Sequence, residues 1–454
     1  MNKRYDVIIA GLGPAGTVAL WHLARMGFYV AAFDWRTSDT LWGKPCGDAL
    51  GAHHPREAGL PDPPSSTIKN TVKAIDIYAP GEKVRYRVYG DGYIIDRNKF
   101  GKWLLSDVID KDNVDVFLGA KVLEPIIKNN SVKGIRVRIG DRVEEFHANV
   151  VIEATGFSRA IRNKLPHNWL IYEPIDPKDT NIAYREIIEY EDYEIEEPEV
   201  IRIYLDQEIA PGGYWWYFPE SKHGVNVGLG VQGGMGYPNP MQIYREKLTK
   251  HPLLSRNYKV VTAAGAPLPT RRPSNTLVGP GVLVIGDAGY TVNPVHGGGM
   301  GYGFRAAYYA AKAIEEAHNR GDFSEKGLWS LNTNYMRGLG AKQAALDIFR
   351  RFLQRLSNDE IRYGMEKKLI PEQDVLYTSS AGEIKISTLE KAKIVLRGLR
   401  RPSLLAKLKI VADYMKKAKQ AYLEYPEEPE KLPQWITSIE RIFSEFEAKL
   451  AEKG

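Results

Sequence analysis

A single cysteine, Cys46, serves 454 residues, so no intrachain disulfide can form. The chain reads as one made for a reducing compartment, the cytoplasm. No run approaches the roughly 18 uncharged apolar residues that a bilayer-spanning helix needs. Residues 7–10 form only a short apolar run before glycines begin, which does not fit a signal peptide. Charge of one sign is scarce: 62 basic and 56 acidic residues leave +6, which gives no general argument for nucleic acid. Metal-ligand spacings such as C-x-x-C and H-x-x-E-H are missing, and no metal is expected. Repeats and low-complexity tracts are also missing. At 43% hydrophobic and 26% charged residues the composition excludes a wholly disordered chain. The length suits two or three domains.

What is present is a strand, a glycine turn and a helix. Val7-Ile8-Ile9-Ala10 reads as a buried strand, and Gly11-Leu12-Gly13-Pro14-Ala15-Gly16 follows it. Residues 17–26 read as a helix, and residues 29–33 as a second strand ending at Asp34. In this β-α-β context each part of the G-x-G-x-x-G pattern has a task. Gly11 permits the tight turn, Gly13 lets backbone N–H groups approach a pyrophosphate, and Gly16 allows close helix–strand packing. The helix N-terminus at Pro14 and Ala15 adds partial positive charge. Asp34 is placed to accept from adenosine ribose hydroxyls and to repel a 2′-phosphate, which disfavours NADP here.

Later segments decide between nicotinamide and flavin. Val282-Leu283-Val284-Ile285-Gly286-Asp287-Ala288 is a buried strand ending in Gly-Asp, similar to the flavoprotein motif whose aspartate holds the ribityl chain. Asn293-Pro294-Val295-His296-Gly297-Gly298-Gly299-Met300 would bring backbone amides, at a helix start, against an isoalloxazine ring. Val151-Ile152-Glu153-Ala154-Thr155-Gly156 is a third strand-to-turn junction of flavoprotein type, and Arg97 stands where such proteins often place a cofactor-contacting arginine. The expected cofactor is FAD. His296 reads as a loop histidine beside it, rather than a covalent flavin anchor or a metal ligand.

The expected architecture is α/β. A Rossmann-type FAD-binding domain takes residues 1–165 and 271–330, with part of 70–100 contributing to the substrate domain. An inserted antiparallel-sheet substrate domain takes 166–270, and a helical C-terminal region takes 331–454. Residues 135–140 and 143–146 are expected to form a hairpin, and residues 300–318 and 435–451 helices.

The most distinctive stretch is Pro211-Gly212-Gly213-Tyr214-Trp215-Trp216-Tyr217-Phe218-Pro219, followed by Gly228-Leu229-Gly230. Alternation puts Tyr214, Trp216 and Phe218 on one strand face and Trp215 and Tyr217 on the other. One face is expected to wall a pocket and the other to pack on the core. An aromatic β-core with no site is the alternative.

Tyr214, Trp216, Phe218, Pro219, Gly228 and Gly230, together with Gly43-Lys44-Pro45-Cys46-Gly47-Asp48-Ala49, resemble the geranylgeranyl reductase family. That family belongs to the para-hydroxybenzoate-hydroxylase-like flavoproteins, and its archaeal-type lipid reductases are the nearest group. The resemblance covers roughly residues 5–310. It implies saturation of isolated C=C bonds of geranylgeranyl chains, carried on membrane ether-lipid precursors or as the diphosphate. It implies a prenyl pocket lined by Tyr214, Trp216, Phe218, Gly228 and Gly230. Cofactor contacts are implied at Cys46, Gly47, Ala49, Arg97, Val122, Gly156, Asp287, Pro294, Gly298, Gly299 and Met300. An isolated alkene is unpolarised, so protonation must accompany hydride delivery. Cys46 is the first choice of proton donor and Tyr214 the second, while Tyr214 and Trp216 can face the developing cation.

One departure concerns the electron source. Thr155-Gly156-Phe157-Ser158 lacks the Asp-Gly that related hydroxylases use in nicotinamide handling. The donor is then a ferredoxin-like protein or NAD(P)H. Residues 391–419 carry Lys391, Lys393, Arg397, Arg400, Arg401, Lys407, Lys409, Lys416, Lys417 and Lys419 against one acid, Asp413. Leu404, Leu405, Leu408, Val411 and Met415 fit one helical face. Such a helix either lies on an anionic membrane surface, packs its stripe on the domain, or docks an acidic ferredoxin. A flavin monooxygenase or halogenase of the same fold remains an alternative, as does a prenyl-binding escort protein without activity.

Overall fold

The computed structural model describes residues 4–372, 382–383 and 400–453. Two eight-stranded sheets are built from the first two-thirds of the chain. In the first, the parallel strands run in the order Val282–Val284, Arg142–Glu153, Arg4–Ala10, Val30–Asp34, Val114–Leu118. Val7, Ile8, Ile9 and Ala10 are fully buried, as a strand covered on both faces requires. The hairpin expected near residue 140 is present, with Ser131–Ile139 antiparallel to Arg142–Glu153.

Helix Pro14–Arg25 starts on a proline directly after the capping Gly13, where a missing N–H costs nothing. It lies beside helix Met300–Arg320, which stops at Gly321 in the left-handed conformation. The two helices come close because Gly303 faces Ala15: a Cβ on Gly303 would lie 3.3 Å from that of Ala15.

The second sheet runs Tyr258–Pro269, Thr180–Tyr190, Gly224–Gln232, Tyr214–Pro219, Val200–Tyr204, Ile68–Tyr78, Arg85–Ile95, Ala49–Gly51. The sheet is mixed, where a purely antiparallel one was expected. Val200–Tyr204 pairs in parallel with Ile68–Tyr78, because that strand comes from a distant part of the chain with no hairpin to fix its direction.

The C-terminal helices extend the same core. Val18 and Ile314 of the nucleotide-binding part belong to one apolar cluster with Tyr422, Trp435 and Phe446. Helix Pro402–Leu423 turns Leu404, Val411 and Met415 inward, and Leu405 and Leu408 pack against the same cluster. The apolar stripe therefore packs on the domain. Lys407 pairs with Glu360 at 3.3 Å and Lys419 with Glu383 at 2.5 Å. Lys391, Lys393 and Arg397 lie outside the described residues. No helix among the described residues is long and apolar enough to cross a membrane.

Candidate functional site

The glycine turn is locked on both sides. Gly11 adopts φ +97°, and a Cβ there would lie 2.4 Å from the Ala154 carbonyl oxygen. A Cβ on Gly16 would lie 1.8 Å from the Gly11 carbonyl oxygen. Gly13 differs, since nothing stands within 4 Å of its added Cβ, leaving its backbone open. The Asp34 carboxylate accepts from Leu12 N at 2.7 Å and from Arg36 N at 2.8 Å. It thus closes the turn onto the second strand and keeps lone pairs for a further donor. At Gly11 and Gly16 an added Cβ has no place, while Gly13 leaves its backbone N–H open to a ligand.

The other flavoprotein motifs converge here. Gly286 holds φ +66° with Ala15 Cβ 3.1 Å from its added Cβ, and the space at Gly299 is bounded by Asp287 Oδ1 at 3.3 Å. Gly156 is also left-handed, with open space at its Cβ position. Pro294 is buried, and Met300 opens the helix behind Gly298 and Gly299. Asn293 organises that loop, its Oδ1 accepting from Val295 N at 2.9 Å and His296 N at 3.2 Å. Asp287 also meets a partner the sequence did not announce, Lys44 Nζ at 2.5 Å. Lys44 belongs to the Cys46 segment, so that segment is tied to the Gly-Asp motif. The Arg97 guanidinium donates to the Lys44 carbonyl and lies 3.9 Å from Asp48. Val122 sits in the apolar cluster with Phe33 and Val137.

Register explains the aromatic strand. Tyr214, Trp216 and Phe218 stand opposite Gly230, Gly228 and Asn226 of the neighbouring strand. The glycines make room: a Cβ on Gly228 would lie 2.6 Å from Trp216 Cζ2. Trp215 and Tyr217 point the other way, into a core with Val227, Leu229 and Tyr244. Trp216 and Phe218 join Val72, Ile94 and Ile201 in a separate small cluster, with Tyr214 and Ala49 at its margin. Gly47 lies directly against this wall, since its added Cβ would be 2.9 Å from Phe218 Cε2. The structure therefore brings the cysteine segment and the aromatic strand into contact, although some 170 residues of sequence separate them. The Tyr214 hydroxyl donates to the His296 carbonyl at 2.6 Å. Burial, and then Cys46, push its pKa up.

Sequence reasoning missed several polar groups at this junction. Asn226, fully buried, bonds Trp216, Cys46 and Asp48 together. A lone amide between Val225 and Val227, at the inward position before G-x-G, was the available signal. Burial pushes the Asp48 carboxyl up, against the pull of Arg97, Arg185 and Lys69. Burial also lowers His54 to about 3, so its imidazole is neutral at pH 7. Among the described residues His53, His54 and Glu57 bring ligand atoms within 4.8 Å of one another, but Glu57 already pairs with Arg305 at 3.0 Å.

Comparison with known proteins agrees with this arrangement. Residues 179–267, which hold the aromatic strand and its glycine partner, match the family model for the geranylgeranyl reductase catalytic domain. Residues 6–165 match the model for glucose inhibited division protein A. A digeranylgeranylglycerophospholipid reductase of Sulfolobus acidocaldarius is 44% identical over 451 residues, 99% of each chain. A second relative of that name, from Methanopyrus kandleri, is 29% identical over 88% of this chain and 98% of its own. Of solved structures, a geranylgeranyl bacteriochlorophyll reductase-like protein from Thermoplasma acidophilum superposes with TM-score 0.75 at 22% identity, over 90% of this chain and 100% of that one. The flavin-dependent brominase Bmp2 shares the fold alone, at TM-score 0.62 and 16% identity over 88% of this chain and 99% of its own. Identity of 44% along the whole length is decisive, and the chain belongs to the digeranylgeranylglycerophospholipid reductase family of flavoproteins.

Proposed function

We propose that the chain saturates isolated C=C bonds of geranylgeranyl chains on a glycerophospholipid, with FAD as its flavin. The observation that carries this reading is the contact of Gly47 with Phe218, which joins the Cys46 segment to an aromatic wall beside the glycine loop. The names of the full-length relatives support the same substrate class. Reduced flavin supplies the hydride. Gly11, Gly13, Gly16 and Asp34 would hold the dinucleotide, and Asp287, Gly298 and Gly299 the flavin end.

The chain's own residues supply the rest. Cys46 delivers the proton to the alkene. Tyr214 is a poorer donor, because its O–H is engaged by the His296 carbonyl and burial raises its pKa. Trp216 and Tyr214 present ring faces to the carbon that becomes electron-deficient, an attraction of roughly 0.5–2 kcal/mol each. The apolar neighbours Val72, Ile94 and Ile201 keep water from that carbon. Electrons arrive from a ferredoxin-like protein or from NAD(P)H, and the short Thr155–Ser158 turn favours the former.

The test is anaerobic. Protein reduced with dithionite is mixed with digeranylgeranylglyceryl phosphate in detergent, and separately with geranylgeranyl diphosphate, and product masses are recorded. Gains in steps of two hydrogens on the lipid are expected. Unchanged masses for both substrates, with the flavin visibly reduced, would remove the reductase reading and bring the monooxygenase or halogenase alternative forward.

A further inference from the structure

We propose that Asn226 is a positioning residue that holds the Cys46 segment and the Trp216 indole in one fixed relationship. The proposal rests on the reading that both face the substrate. Asn226 is fully buried in the second sheet, opposite Phe218 and in line with Gly228. Its Oδ1 accepts from Trp216 Nε1 at 3.0 Å. Its Nδ2 donates to the Cys46 carbonyl at 2.8 Å and to Asp48 Oδ2 at 3.3 Å. Both amide protons and the oxygen are thereby used, and the partners fix the amide's direction. Turned over, it would set NH2 against the indole N–H and its oxygen against a carbonyl and a carboxylate.

The segment needs such a pin. It lies between Trp42 at φ 58° and Asp48 at φ 60°, and Cys46 belongs to no helix or strand. Lys44 is tied to Asp287 and Arg97, and the Asp48 carbonyl accepts from Ile95 N, but these bonds flank Cys46, and the contact of Gly47 with Phe218 resists sliding only weakly. A directional amide in a water-free setting does resist it, because any slide leaves a buried donor or acceptor unmet. Proton donor and aromatic wall must reach the same alkene carbon pair together. A shift of about 1 Å at either one costs heavily in rate. Neither an apolar nor an acidic side chain of similar size can take its place. Leucine would orphan the indole N–H and the Cys46 carbonyl. Aspartate would keep the indole bond and oppose the Cys46 carbonyl and Asp48 with negative charge.

The single cysteine makes the test specific. Flavin-loaded wild type, Asn226→Ala and Asn226→Asp are alkylated with iodoacetamide, and Cys46 labelling is timed by mass. Turnover of the lipid is measured alongside. With the pin lost, Asn226→Ala should label about tenfold faster, and kcat should fall about tenfold or more while KM changes less than about threefold. Asn226→Asp is the near-isosteric check should the alanine variant fail to fold. Its labelling excess over wild type, compared at each pH, should shrink as the new carboxyl is protonated and regains a donor. Labelling at the wild-type rate in a folded variant, with only the melting temperature lowered, would overturn the proposal. The alkylation rate reads the pin without turnover, so faster labelling upholds it even where neither protein reduces a prenyl lipid.

Discussion

The Tyr214 hydroxyl donates to the His296 carbonyl at 2.6 Å, so the aromatic strand of the second sheet is tied to the glycine loop of the first. The bond spends the proton that Tyr214 would otherwise offer to substrate. Replacing Tyr214 by Phe removes one neutral hydrogen bond, worth about 0.5–1.5 kcal/mol. A fall in kcat of about tenfold or less is expected, with the ring still present to face the cation. A general acid would be missed far more, by roughly 10²–10⁴. Steady-state kinetics of Tyr214→Phe decide between the roles, and a loss beyond about 100-fold would restore Tyr214 as the donor.

Cys46→Ala is expected to show that larger loss. The flavin should stay bound and be reduced by dithionite as before, because Cys46 meets the wall through its backbone and through Gly47. Product formation should fall by roughly 10²–10⁴. Rapid-mixing absorbance of the reduced flavin against substrate measures the step. Reoxidation at the wild-type rate would exclude Cys46 as proton donor.

Two glycines should fail in different ways. At Gly228 an added Cβ meets the Tyr184 carbonyl oxygen at 2.4 Å and Trp216 at 2.6 Å, both in packed positions. Gly228→Ala should lower thermal stability by about 1–3 kcal/mol. At Gly13 the added Cβ meets nothing, so Gly13→Ala should leave the melting temperature of the flavin-free protein unchanged. It should weaken flavin retention, since the methyl enters the space where a pyrophosphate approaches. Equal melting shifts for the two variants would contradict this contrast.

The parts of the site that sequence made legible are those where one residue type has one backbone use. Gly11 at φ +97° and Gly286 at φ +66° occupy conformations that side-chain-bearing residues avoid, so their spacing alone carries meaning. The two faces of the aromatic strand follow from alternation. Asn226 was not legible, because its partners come from the next strand and from a loop some 180 residues earlier. The stripe Leu404, Val411 and Met415 fitted membrane and core equally well, since periodicity shows that a face is apolar but not what covers it. The parallel pairing of Val200–Tyr204 with Ile68–Tyr78 had no local signal at all.

Glu173 is expected to make the fold sensitive to acid. Its carboxylate binds Arg271 at 2.6 Å, Arg162 at 3.4 Å and Asn275 N at 2.7 Å, beneath the Gly-Asp motif. Burial pushes this carboxyl up, but Arg271, Arg162 and Arg272 overcome it and hold the pKa at about 2. In the unfolded chain the group returns to about 4.5. As pH falls, the unfolded state therefore takes the proton first. The stabilisation is complete above about pH 4.5 and is lost progressively toward about pH 2. Glu173→Gln keeps the shape but leaves two buried guanidinium groups without their anion. It should lower the melting temperature at pH 7, by an amount corresponding to about 3–5 kcal/mol. It should also flatten the melting curve between pH 4.5 and 2. Some slope should remain, because Asp347 is held well below its usual range by Arg350 and Arg351 against the push of burial. Calorimetry of both proteins across that window reads the difference. Parallel pH profiles for wild type and variant would show that this carboxylate does not govern acid unfolding.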